Sequence, residues 1–160
     1  MAEKHTLSCL VENQFGVLAR VAGLISARGF NIDSLTVSAT EDPTVSRMTI
    51  VVDADAQKLE QVKRQLSRLI DVIDVSELKS GEFLDRELLL VRLNGANREA
   101  VLKTVESVGA KVADTAANSL VIEAMGDTKR MDELVEKLRP YGIQQLVRTG
   151  RIALPRPTAG

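Results

Sequence analysis

The residues best placed for chemistry surround one amphipathic stretch: Asn13, Gly16, Val17 and Leu18 at its entry, Asn31 and Ile32 at its exit. They suit recognition rather than bond-making. Val17, Leu18, Val21, Leu24, Ile25 and Arg28 recur at helical spacing, so the intervening segment reads as a helix with one packed face. Gly16 sits where loop becomes helix, and Gly29 sits where the helix stops. A glycine at the start lets another group approach the backbone closely. The first N–H groups of a helix lack internal partners, and the helix dipole adds partial positive charge there. That combination suits a carboxylate or a phosphate. Asn13 and Asn31 add amide donors and acceptors. The same glycines and asparagines would also serve simply to shape turns, and residue chemistry by itself leaves both readings open.

Other chemistries find little support. His5 is the single histidine and Cys9 the single cysteine, so a Ser-His-Asp or Cys-His pair would have to use His5, which has no companion motif. Cys9 cannot form an intrachain disulfide. It lies in an alternating strand-like run, where a buried inert thiol is expected. No zinc spacing and no grouped carboxylates occur. Net charge is −1, without the basic excess or stripe of a nucleic-acid binder. The only aromatics are Phe15, Phe30, Phe83 and Tyr141, too few for a base-stacking platform. The N-terminus has no apolar signal region, and no apolar run approaches membrane-spanning length, so a cytoplasmic protein is expected.

The elements that must position these residues form a repeat. Lys4–Glu12 alternates as a strand, a helix follows over 17–28, and strands are expected at 31–40 and 46–53 around a turn at Glu41-Asp42-Pro43-Thr44. Leu59, Val62, Leu66 and Leu69 mark a second helix, and 72–78 closes the half as a strand. After Lys79-Ser80-Gly81-Glu82 the pattern returns: a strand at 87–93, a helix at 98–108, strands at 111–116 and 119–124, a helix at 131–138 and a strand at 143–149. The expected fold is therefore α+β, two ferredoxin-like βαββαβ units in tandem, spanning 1–79 and 80–160, with a mobile tail from Pro155. A unit of about 80 residues is marginal alone and often dimerises. The halves overlay with Val21, Ile25, Gly29 and Ile32 on Val101, Val105, Gly109 and Val112. Gly16 then falls on Ala96 and Asn31 on Lys111, which predicts a ligand site in the first half only.

The residue strings are more specific than the periodicity. Asn13-Gln14-Phe15-Gly16-Val17-Leu18-Ala19-Arg20-Val21 and Arg28-Gly29-Phe30-Asn31-Ile32-Asp33-Ser34-Leu35 resemble the ACT domain, a small-molecule-sensing βαββαβ module. Asp42-Pro43-Thr44-Val45-Ser46-Arg47-Met48 and Asp71-Val72-Ile73-Asp74-Val75 are similar to the small regulatory subunits of acetolactate synthase, also called acetohydroxyacid synthase. The resemblance implies ACT units paired side by side in a homodimer, with an amino-acid effector, usually valine, at the pair interface. The positions it implies are Asn13, Gly16, Val17 and Leu18 from one subunit and Asn31 and Ile32 from its neighbour. Phe15 stands where the family often has a smaller, more polar residue. It further implies a chain with no catalytic residues of its own, and a separate catalytic large subunit carrying thiamine diphosphate, Mg²⁺ and FAD. That partner makes acetolactate in branched-chain amino-acid biosynthesis and receives activation and feedback inhibition from the small subunit. The alternatives are a stand-alone enzyme, which the sparse reactive residues disfavour, and an amino-acid-sensing transcription regulator, for which no helix-turn-helix segment is left over.

Overall fold

The computed structural model describes residues 3–157. The chain divides into two compact units, Met1–Leu84 with Arg151–Gly160 and Asp85–Gly150. In the first, the elements run β1 (Glu3–Glu12), α1 (Val17–Ala27), β2 (Ile32–Ala39), β3 (Val45–Ala54), α2 (Ala56–Leu66) and β4 (Val72–Leu78). The strands form an antiparallel sheet in the order β2-β3-β1-β4. Strand alternation sends Leu7, Cys9 and Val11 to one face. Register places Leu7 opposite Ile50 and Cys9 opposite Met48. Val17, Val21 and Ile25 of α1 and Leu59, Val62 and Leu66 of α2 close over that face to make one core. This is the expected ferredoxin-like order.

The second unit repeats it. After β5 (Phe83–Asn94) come α3 (Arg98–Ser107), β6 (Lys111–Ala116), β7 (Ser119–Gly126), α4 (Thr128–Leu138) and β8 (Ile143–Arg148), with the sheet ordered β6-β7-β5-β8. Leu89, Val91 and Leu93 of β5 occupy the places of Leu7, Cys9 and Val11. A short strand β9 (Ile152–Pro155) also pairs with β5.

The ends of the units differ from expectation. β5 begins at Phe83, four residues before the expected start, and the boundary falls after Leu84 instead of Lys79. Glu87, the expected first residue of the strand, is charged and buried. It sits on the inward side, 5 % exposed, because Arg148 Nε (2.9 Å) and Nη2 donate to its carboxylate and Thr128 Oγ1 donates at 2.9 Å. The segment from Arg151 belongs with the first unit: Arg151 donates to Thr6 Oγ1 at 2.6 Å and lies over the Phe83 ring, and the Arg156 N–H bonds Glu82 O at 2.9 Å. The tail expected to be mobile from Pro155 is thus tied down through Arg156, and residues 158–160 lie outside the described residues.

The helix starts fall into two kinds. Asp55 caps α2 and Asp127 caps α4, their side chains accepting from Lys58 N at 2.9 Å and Arg130 N at 2.8 Å. α1 and α3 instead begin from left-handed residues, Gly16 (φ 80°) and Asn97 (φ 68°), with no side-chain cap.

Burial opposes the charge on Arg148, but its hydrogen bonds to Asp132 and Glu87 outweigh that, and the guanidinium is held above its ordinary value. Replacing Arg148 by Met leaves Glu87 buried without its cation. The expected loss is about 3 kcal/mol of stability in the second unit, read by hydrogen exchange as faster global opening of amides in 85–150 with those of β1 and β3 unchanged.

Candidate functional site

The site is the loop between β1 and α1. Gly16 takes a left-handed conformation that an L residue adopts at a cost of about 1–2 kcal/mol. This turns the chain into the helix without supplying a capping oxygen. The Arg20 N–H bonds Gly16 O at 3.0 Å, and Val17 N reaches Gln14 O only at 3.5 Å. The N–H groups of Leu18 and Ala19 have neither a cap nor a carbonyl four residues back among the described residues. No acidic side chain stands in the first turn of α1, whereas α3, equally uncapped, carries Glu99 there. A carboxylate at a helix start competes with an incoming anion for the same N–H dipoles, so α1 is the better anion site of the two.

Asn13 frames this opening. Its N–H bonds Thr44 O at 2.7 Å and its Nδ2 donates to Pro43 O at 2.9 Å, anchoring the loop to the β2–β3 turn. The donor side of the amide is thereby engaged, which leaves Oδ1 of this exposed residue as an acceptor. The turn is itself braced by Asp42, which accepts from Thr44 N (2.9 Å) and Thr44 Oγ1 (2.7 Å); those bonds lower its pKa. One contributor escaped the sequence reading. Arg20, one turn into α1, brings Nη1 within 3.5 Å of where a Cβ on Gly16 would lie, and its Nη2 pairs with Asp71 Oδ2 at 2.5 Å. The spacing of four residues between Gly16 and Arg20 was the available signal. Phe15 is fully exposed beside the opening.

Not every expected residue gathers here. Val17 is 2 % exposed, so only its backbone can serve a ligand. Leu18 is half-exposed at the mouth. Asn31 and Ile32 follow α1, and a helix of 11 residues spans about 16 Å. One small ligand therefore cannot touch both ends within a protomer. Asn31 is exposed with no partner among the described residues, and Ile32 is partly buried against the core.

The internal overlay also needs correction. The left-handed start of α3 is Asn97, not Ala96, so the loops correspond at an offset one larger than the helix cores do. Asn94 then matches Asn13, and the second loop is not devoid of polar groups. There Asn94 Oδ1 accepts from Ala96 N at 3.2 Å, and a Cβ on Gly95 would lie 2.7 Å from the Asn118 backbone. That loop is filled by its own hairpin.

The two reactive side chains are occupied structurally. His5 Nδ1 lies 2.9 Å from Glu77 Oε1. Cys9 is fully buried, and burial, with the nearby charge of Asp74, pushes its thiol up to about 12.

A βαββαβ unit with the sheet order β2-β3-β1-β4 and two helices on one face is an ACT-type module. Residues 7–74 match the family described as the AHAS small subunit-like ACT domain, and residues 86–157 match the family described as the small subunit of acetolactate synthase. The chain is 48% identical over 158 residues to the acetolactate synthase small subunit of Mycobacterium leprae, covering 98% of this chain and 94% of that one. It is 44% identical over 155 residues to a probable acetolactate synthase small subunit of Archaeoglobus fulgidus, covering 96% and 97%. The crystal structure of the acetolactate synthase small subunit from Thermotoga maritima superposes with a TM-score of 0.90 at 29% identity, covering 98% of this chain and 99% of that one. The chain belongs to the acetolactate synthase small-subunit family.

With its thiolate this disfavoured, Cys9 should resist alkylation by iodoacetamide at pH 8 in the native protein and react fully in denaturant, as counted by mass spectrometry. Rapid labelling of the native protein would place Cys9 in an open site.

Proposed function

We propose that this chain is the regulatory subunit of a cytoplasmic acetolactate synthase, raising the turnover of a catalytic large subunit and making it sensitive to valine. The observation that carries the reading is similarity along the whole chain, both halves in order, to proteins named acetolactate synthase small subunits. Thiamine diphosphate, Mg²⁺ and FAD belong to the large subunit in this reading, and the chain contributes no group to the chemical steps.

The geometry of the loop supports an effector site there. The carboxylate of valine docks on the N–H groups at the start of α1, Gly16 to Leu18, with the Arg20 guanidinium alongside. Its ammonium is taken by Asn13 Oδ1, the acceptor left after Nδ2 has bonded Pro43. The helix length puts Asn31 and Ile32 of the same protomer out of reach. In the proposed ACT-paired homodimer, the neighbour supplies them as a second acceptor and an apolar wall for the isopropyl group. Valine then inhibits by preferring one arrangement of the assembly, with a coupling of about 1–3 kcal/mol.

Gly16→Asp tests the site. Left-handed backbone is tolerated by Asp better than by most residues, so the fold survives with a local cost of about 1–2 kcal/mol. At this φ the new side chain cannot adopt the extended-backbone geometry of a helix cap. It lies instead beside Arg20 and places a negative charge where the carboxylate would dock. Losing one charge-assisted hydrogen bond costs about 1.5–3 kcal/mol, which is about a tenfold to hundredfold loss of affinity. Calorimetry should show valine binding lost, while the mutant still activates a co-purified large subunit that valine no longer inhibits. Wild-type binding and inhibition in the folded mutant would place the effector elsewhere. Failure of the wild-type chain to co-purify with or activate the large subunit would overturn the function itself.

A further inference from the structure

The helices of the second unit cover one face of its sheet, and the other face is unusually apolar for a surface. On β5 the outward residues include Leu88 and Leu90, each 39% exposed. Register sets Leu88 opposite Met125 of β7 and Leu90 opposite Val147 of β8, so the four form one continuous patch. Met125 is 65% exposed and Val147 56%. Beside them, Leu90, Arg92, Val121, Gln145 and Val147 line a recess of about 150 Å³. The matching face of the first unit is different: Thr6 and Ser8 stand opposite Val51 and Thr49, all four are buried, and Arg151 lies against Thr6. Large apolar groups held in water at matching register positions mark a contact surface.

Two charges indicate what covers it. Arg92 stands opposite Val121, and Glu123 stands opposite Leu90, so the two lie diagonally on the same face. Neither has an ion-pair or hydrogen-bond partner among the described residues. A face with one cation and one anion around an apolar centre is self-complementary: a two-fold axis in the plane of contact can bring each Arg92 against the other copy's Glu123. We propose that this outer sheet face, centred on Leu88, Leu90, Met125 and Val147, is an isologous contact between two copies of this chain, sheet packed on sheet. The recess takes an apolar side chain of the second copy, and the reciprocal Arg92–Glu123 pairs fix the register of the two sheets. This contact is separate from the effector interface and holds whether or not valine is the effector.

The test is charge reversal in the full chain, followed by sedimentation equilibrium across a concentration series. Arg92→Glu and Glu123→Arg are both exposed and outside the core, so the fold is retained, which circular dichroism verifies. Each single variant sets like charges face to face and should weaken an association step by about tenfold or more. The double variant restores opposite charges across the contact and should return that step to within about threefold of wild type. Leu90→Ser with Val147→Ser provides an uncharged check and should weaken the same step. Unchanged association in the single variants, or a double variant no better than the singles, overturns the proposal. So does a set of variants that self-associate normally yet lose co-purification with the catalytic subunit, because the face would then belong to that partner.

Discussion

Two helices can cover one face of a four-stranded sheet and no more, and strand geometry sends every second side chain to the other face. Each unit of this chain is arranged around that limit. In β1 the inward residues Leu7, Cys9 and Val11, and in β5 the inward residues Leu89, Val91 and Leu93, are apolar and essentially fully buried. The outward positions are free to differ, and they do: Thr6 and Ser8 in one unit, Leu88 and Leu90 in the other. The same limit sets where a ligand can bind. Because the covered face is filled by side chains from both helices, the open polar backbone lies at the sheet ends, where strand passes to helix.

At those ends the choice between closing and opening a helix is made by single residues. Asp55 and Asp127 hold extended backbone and give a carboxylate oxygen to the first turn. Gly16 and Asn97 hold left-handed backbone and give nothing. What separates the last two is the first turn beyond them, with Glu99 present in one and no acid in the other, together with the guanidinium of Arg20. The proposed effector site is thus defined less by the groups it contains than by those withheld from it.

Much of this was legible from residue order. Leu7, Cys9 and Val11, or Val101 and Val105, show their periods directly, because burial of one face demands them. Gly16 and Gly29 were readable as punctuation, and both have positive φ. What escaped depended on partners distant in sequence. Glu87 reads as the first residue of a strand, and how its charge comes to be buried shows only in Arg148, 61 residues later. The segment after Gly150 carries no core pattern of its own, and its strand forms only because β5 offers an edge and Glu82 a carbonyl. The one-residue slip between the loops was invisible to an overlay built on the helix cores, since backbone conformation and not residue type marks the equivalence of Gly16 and Asn97.

The central claim is that the uncapped start of α1 receives the carboxylate of an amino acid. It is tested most directly by following backbone and side-chain amides of the ¹⁵N-labelled chain by NMR during a valine titration. The account predicts saturable downfield shifts of the Leu18 and Ala19 amide protons, with the Asn13 and Asn31 side-chain amides moving at the same midpoint and the amides of α3 unchanged. Saturable shifts confined to the second unit, or a valine titration that leaves Leu18 and Ala19 unmoved, would contradict it.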